Sequence, residues 1–189
     1  MNAKDIKKIV KNRKDFLDIN ILGLDISTTN FGFAVHKNQE LKDFGHLDIK
    51  VIDNMVEKVT ATINKIKEIF HNHYISVIVL EDRLKSAGGK TTAETLMKLA
   101  YINGCIDYYL TTTFPDARLF SIHPSTARKN AWGVGRFQDV KRDIINLCEV
   151  EYNLSFPLKR KPSINYQDHV EDICDAITLS KSFSNPILT

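Results

Sequence analysis

The sequence is poor in cysteine, proline and glycine, holds a single tryptophan, and lacks any long apolar run. Its three cysteines, Cys105, Cys148 and Cys174, include no C-x-x-C pair and stand in no His/Cys cluster with zinc-ligand spacing. A disulfide framework or zinc module is therefore excluded, and three reduced thiols in a reducing compartment are expected. Eight glycines and five prolines in 189 residues exclude a collagenous or linker-like chain. No apolar stretch approaches the roughly 18 residues that span a bilayer, so no membrane partner is expected. The basic N-terminus lacks the apolar core and small-residue cleavage site of a secretory signal, which points to an intracellular protein. An excess of one charge is also missing: 26 Lys and Arg stand against 23 Asp and Glu, a net charge of +3. That balance alone neither shows nor excludes nucleic-acid binding. What is present, 43% hydrophobic and 26% charged residues, is the composition of one globular domain with a core of its own.

Residues 1–18 differ from the rest. Lys4, Lys7, Lys8, Lys11, Arg13 and Lys14 there outnumber Asp5, Asp15 and Asp18. The spacing gives a thin apolar face, so a short basic arm or helix is expected, followed by one domain over 19–189. Asn20 to Ile26 reads as a strand apolar on both faces. Phe31–Val35 and Leu41–Ile49 read as two more strands, with Lys37-Asn38-Gln39 as a hairpin turn. Residues 51–71 follow a helical period through Val51, Met55, Val59, Ile63 and Ile66. Ile75–Leu80 is a buried strand, 91–110 a helix after a Ser86–Gly89 loop, and Arg118–Ile122 a fifth strand. Residues 124–136 read as a helix start running into a glycine-hinged basic loop. Residues 138–149 and 166–181 are helical, with a basic loop over 153–165. The order βββ-α-β-α-β-α-α implies an α/β fold with a mixed five-stranded sheet and helices on both faces.

Four acids stand out by position. Asp25 ends the first strand, and Glu81 directly follows Ile78-Val79-Leu80. Asp172 and Asp175 lie on the last helix, where Asp168 shares their face at 3.6 residues per turn. A carboxylate at the end of a buried strand is costly to desolvate unless it meets a cation. Several converging carboxylates repel one another, and a hard divalent cation such as Mg²⁺ relieves that repulsion. Two such ions on shared carboxylates would clamp the attacking and leaving oxygens of a phosphodiester. Taken singly, each acid has an ordinary alternative: Asp25 as a turn cap, Glu81 as a partner of Arg83, the helix acids as a solvated face.

In that order and spacing the sequence resembles the RuvC-type Holliday-junction resolvases of the ribonuclease H-like superfamily, over residues 20–181. Leu24-Asp25-Ile26-Ser27-Thr28-Thr29 and Gly32 match the family's D-x-S-x-x-x-x-G pattern. Glu81 stands at its second acid, followed by Ala93, Leu96, Leu99, Ala100 and Gly104 in the next helix. Pro124 and Gly133-Val134-Gly135 match its P…G-x-G stretch, and Asp172-Ile173-Cys174-Asp175-Ala176 its terminal D-x-x-D-A. The resemblance implies a ribonuclease H-like fold and catalytic, metal-ligating roles for Asp25, Glu81, Asp172 and Asp175. It implies two Mg²⁺ per active site, replaceable by Mn²⁺, and a homodimer built partly on the helix that follows Glu81. The implied activity is endonucleolytic resolution of four-way junction DNA in recombination and repair, leaving 5′-phosphate and 3′-hydroxyl ends. A cytoplasmic or nucleoid-associated location would follow. The sequence departs from the family where a lysine is replaced by Arg128, where a second falls at Asp139, and where an aromatic is Leu84. The richness in Lys, Ile and Asn suggests an AT-rich genome and a phage-type member.

The bases Arg128, Lys129, Arg136, Lys141, Arg142, Lys159, Arg160 and Lys161 all follow the fifth strand and are expected to contact DNA phosphates, with Leu84 near the bases. Trp132 either stacks on a base or packs the loop onto the core. Ser27, Asp168 and His169 are candidates for supporting the metal shell, with turn or surface roles as the alternatives. Two rival activities share these residues. Cleavage of RNA–DNA hybrids would use the same fold and carboxylates. The first motif also resembles the phosphate loop of actin- and sugar-kinase-like ATP-binding proteins, but that class needs a second half, for which 189 residues leave no room.

Overall fold

Five strands pair into one sheet of order β3-β2-β1-β4-β5, with the apolar runs of β1 and β4 near its centre and the more polar β3 at one edge. The computed structural model describes residues 19–82, 92–134, 137–158 and 167–184. The expected basic arm over 1–18, the loop at 86–89, and Leu84, Arg136, Lys159, Arg160 and Lys161 lie outside the described residues. β1 (Asn20–Ile26), β2 (Asn30–Lys37) and β3 (Glu40–Asp48) form an antiparallel meander. β4 (Ile75–Glu81) and β5 (Arg118–Ile122) add in parallel on the other side of β1. Asn38 and Gln39 turn the β2–β3 hairpin with φ of 50° and 70°, the left-handed pair that matches strand twist. Parallel neighbours need crossovers, supplied by α1 (Met55–Asn72) and α2 (Ala93–Thr113). α3 (Pro124–Trp132), α4 (Val140–Tyr152) and α5 (Asp168–Ser184) follow β5. Among the described residues, no helix is long and apolar enough to cross a membrane.

Alternation along the strands divides the core. Leu22, Leu24, Phe31, Phe33, Val35, Ile78 and Leu80 pack with Ile66, Ile69, Ile102 and Ile106 of α1 and α2. On the opposite face, Ile21, Val77 and Val79 meet Leu179 and Phe183 of α5, while Ala34 meets Ile144, Ile145 and Ile173. Helices therefore cover both faces, as expected.

Most element ends shift by one to three residues from the sequence expectation, and two departures have a clear local cause. α1 starts at Met55, because Asn54 Oδ1 accepts the N–H groups of Val56 and Glu57 and fixes the N-terminus there. Val51 is left 83% exposed, outside the helix. Residues 124–132 form a complete helix, one more than the expected order. Pro124 sits in its first turn, His123 Nδ1 accepts from Ser125 N–H, and Gly133 at φ 75° closes it.

α5 also buries a polar contact against the sheet. His36 of β2 is fully buried, with Nδ1 2.8 Å from Ser180 Oγ and Nε2 2.8 Å from Tyr152 Oη. Ser180 Oγ donates to the carbonyl of Ala176, leaving its oxygen to accept from Nδ1–H, so Nε2 accepts from the tyrosine hydroxyl. Burial, with the nearby charge of Lys181, pushes the imidazole down to about 3. A folded value below the unfolded one means that this stabilisation is complete above about pH 6.5 and is lost as pH falls toward 3. Urea titrations between pH 6 and 4 should show wild type losing about 1.4 kcal/mol per pH unit more than His36→Gln. Parallel pH profiles would show that His36 is not the proton acceptor.

Candidate active site

Strand parity builds the site. In β1, Leu22 and Leu24 face α1 and α2, so Ile21, Gly23 and Asp25 fall on the α5 side. In β4, Val77, Val79 and Glu81 fall on that same side. The two strands are parallel neighbours with Leu24 beside Leu80, so Asp25 and Glu81 are the next pair at their C-terminal ends.

α5 reaches them because two glycines let it. A Cβ on Gly23 would lie 2.2 Å from the carbonyl oxygen of Ala176, and one on Gly32 2.3 Å from that of Asp172. The helix backbone rests directly on β1 and β2, which delivers Asp172 and Asp175 to the strand-end carboxylates.

All four acids are half-buried and electrostatically joined. Burial, then repulsion from Asp175, Asp172 and Glu81, raises Asp25 well above the usual carboxylate range. Glu81 is pushed up to about 7 by burial and Asp175, against an opposing pull from Arg128. Asp172 rises to about 6 through burial and Asp175, partly offset by hydrogen bonds from Asn30 and Asp25. Asp175 is raised by burial, with Arg128 and Lys141 pulling the other way. The side chains of Asp25 and Asp172 hydrogen-bond each other, which requires a proton on one of the pair, and burial with the neighbouring carboxylates favours that protonation.

Among the described residues, no three His, Cys, Asp or Glu side chains stand at metal-holding spacing; Asp25 and Asp172 turn toward each other instead. The donor set nevertheless fits a hard divalent cation. It offers carboxylate oxygens only, on four partly buried side chains, and burial raises the proton affinity of every one, with repulsion between the acids adding to it at Asp25, Glu81 and Asp172.

The other expected residues are placed as follows. Arg128 of α3 lies beside Glu81 and Asp175, and Lys141 of α4 pairs with Glu171 while lining a cleft with Arg128 and Asp175. Lys129 and Arg142 are exposed nearby in sequence. Ser27 Oγ accepts from Asn30 N–H at 2.9 Å and donates to the Asn30 carbonyl at 2.8 Å, so its hydroxyl is used within the turn. Asp168 is the first residue of α5. His169 stacks on His46, their centroids 3.9 Å apart. Trp132 packs against the core, its Nε1–H donating to Thr178 Oγ1 at 3.0 Å and Lys181 Nζ lying 4.9 Å from its ring. Two site neighbours have no sequence signal of their own, Asn30 and His46. His46 is placed by pairing register, with Asp25 opposite Gly32 and Gly32 opposite His46, and Asn30 by the β1–β2 turn that brings its side chain to Asp172.

No protein-family model matches the chain, and no curated protein matches its sequence. Solved structures do resemble it. Thermus thermophilus RuvC in complex with Holliday junction substrate aligns with a TM-score of 0.63 at 11% identity, over 87% of this chain and 91% of that one. The yeast mitochondrial Holliday junction resolvase aligns at 0.60 and 13%, over 97% and 85%. The Fowlpox virus resolvase, solved with junction DNA, aligns at 0.53 and 14%, over 88% and 97%. The sheet order, the crossovers and the helix that closes the site are thus those of the ribonuclease H-like fold that these resolvases share, as the sequence resemblance implied.

Proposed function

We propose that the chain is a structure-selective DNA endonuclease that resolves four-way junctions. The observation that carries the reading is the convergence of Asp25, Glu81, Asp172 and Asp175 from two strand ends and one helix, in a fold shared with resolvases solved on junction DNA. Those four carboxylates would hold two Mg²⁺, with Mn²⁺ as a substitute. Bound there, the cations would neutralise the scissile phosphate and make water a stronger nucleophile, giving 5′-phosphate and 3′-hydroxyl ends. Asn30 keeps Asp172 oriented, and Arg128 places a fixed positive charge beside Glu81 and Asp175. Arg128, Lys129, Lys141 and Arg142 would take backbone phosphates of the junction arms, joined by Arg136, Lys159, Arg160 and Lys161, with Leu84 against the bases. Asp168 and His169 would support the shell from the start of α5.

A side-by-side digest decides the substrate. The expected result is paired nicks in a four-way junction and an intact RNA–DNA hybrid. Preferential hybrid cleavage would make the chain a ribonuclease H instead.

Paired nicks require two active sites, and α2 offers the surface. Met97, Tyr101 and Tyr108 are 74%, 46% and 73% exposed, and with Gly104 they follow the i, i+4, i+7, i+11 stripe of one helix face. A Cβ on Gly104 would meet nothing within 4 Å, so the stripe has room for a closely approaching second copy. Tyr101→Lys with Tyr108→Lys should weaken self-association at least about 100-fold, since buried aromatic anchors carry most interface energy. Sedimentation should then report monomer, and junctions should be nicked singly. An unchanged dimer would place the interface elsewhere.

A further inference from the structure

Beside the carboxylates lies a second feature, a polar cavity of about 440 Å³ bounded by the β1–β2 turn, the end of β3 and the start of α5. Thr29, Asn30, His46, Lys50, Gln167 and His169 line it. Three observations bear on what it takes.

It adjoins the carboxylate cluster through Asn30. Asn30 lines the cavity and hydrogen-bonds Asp172, and His46 stands in the same cross-strand row as Asp25, two strands or roughly 10 Å away. It contains a flat plate, because the His46 and His169 rings stack at 3.9 Å with only 7° between their planes. Burial and the neighbouring His169 lower the proton affinity of His46, which favours a neutral aromatic face. Finally, its polar groups are of both kinds. Lys50 supplies a cation, Asn30 and Gln167 supply amides, and Asp48, which accepts Lys50 N–H at 2.8 Å, supplies a carboxylate. A bare anion would be repelled by that carboxylate. A ligand that carries both a phosphate and N–H donors would use every group.

We propose that this cavity is a nucleotide subsite that receives the nucleotide next to the scissile phosphate, with its base against the His46–His169 plate and its phosphate toward Lys50. The volume suits one nucleotide, and aromatic side chains, histidine included, are stacking partners for unpaired bases. The proposal rests on the reading of the adjacent carboxylates as the cutting centre. It further implies that the base beside the cut leaves its stack, as the strained strands at a junction crossover permit.

The test uses the full chain in EDTA, so that no metal mediates binding, with the dinucleotide pdTpdT as probe and NMR of the histidine ring protons as readout. We expect pdTpdT to shift the His46 and His169 signals while inorganic phosphate leaves them in place. Affinity should fall about tenfold in His46→Ala/His169→Ala and in Lys50→Ala, in line with about 1–3 kcal/mol for a stacked base. Unmoved ring signals, equal shifts with inorganic phosphate, or unchanged affinity in the variants would overturn the subsite. Lys50 is exposed, so its variant decides the matter if the histidine pair proves necessary for folding. Junction digestion separates the two readings. Normal cleavage with an unchanged KM in Lys50→Ala overturns the subsite and keeps the nuclease. Specific pdTpdT binding by a wild-type chain that leaves junctions uncut keeps a nucleotide site and overturns the nuclease.

Discussion

Asp25→Asn should reduce junction cleavage by at least about 10³-fold, equivalent to about 4 kcal/mol of transition-state stabilisation, while junction binding stays within about threefold. The asymmetry follows from where the residue sits. Asp25 lies at the end of the central strand and faces Asp172, Asp175 and Glu81, so it belongs to the proposed cutting centre and not to the exposed bases. The amide keeps size and shape but removes the negative charge that a cation needs. It also removes repulsion from a site that is strained without metal: burial and three like charges all oppose ionisation of Asp25. In EDTA the variant should therefore melt above wild type, at roughly 2–4 °C for each kcal/mol relieved. Mg²⁺ should raise the wild-type melting temperature and leave the variant nearly unchanged. Asp175→Asn should behave in the same way, since Asp175 contributes to the raised values of Asp25, Glu81 and Asp172. Cleavage surviving in both variants, or a melting curve blind to both metal and mutation, would remove these carboxylates from the chemistry.

How much of this was legible depends on whether a feature is local. Asp25 and Glu81 announce themselves because each follows an uninterrupted apolar run, and a charge there contradicts its neighbours. Asp172 and Asp175 are legible as a helical pair. The five strands and their helices follow from periodicity for the same reason. What escaped depends on contacts distant in sequence. His46 looks like an ordinary residue of an edge strand, and only the β1–β2–β3 register sets it in line with Asp25. Asn30 looks like turn chemistry, yet its side chain holds Asp172 across 142 residues of chain. The start of α1 was missed because Val51 continues the apolar period, while the Asn54 cap sets the boundary through hydrogen bonds that periodicity does not record. Tyr101 and Tyr108 fit a core pattern as readily as an interface, and only their exposure separates the two.

The glycine of the first motif connects fold to site, and its replacement should have the other large effect. Gly32→Ala is expected to cost about 3 kcal/mol, and to lower cleavage about 100-fold even where the variant is fully folded. Gly32 does not have positive φ, so alanine is tolerated by the backbone itself, and the cost is purely steric. The new Cβ would stand 2.3 Å from the oxygen and 2.6 Å from the carbon of the Asp172 carbonyl, both backbone atoms of a helix. That helix cannot simply tilt away, because it is also seated on Gly23, where Ala176 and Ser180 backbone atoms leave equally little room. Overpacking of this kind typically costs about 1–3 kcal/mol, and a rigid backbone neighbour puts Gly32 at the upper end. Gly45→Ala is the graded control. Its nearest contact is the Phe33 ring edge at 2.9 Å, a side chain that can move, so a loss nearer 1 kcal/mol is expected. The functional loss has a separate origin. Any relaxation that admits the methyl must move Asp172 outward, and a misplacement of about 1 Å at a reacting centre costs on the order of 100-fold in rate. Urea denaturation and cleavage at a temperature well below the transition read the two effects independently. Equal stability losses in Gly32→Ala and Gly45→Ala would show that α5 is free to shift on the sheet. Full cleavage in a destabilised Gly32→Ala would show that Asp172 does not need its seat on β2.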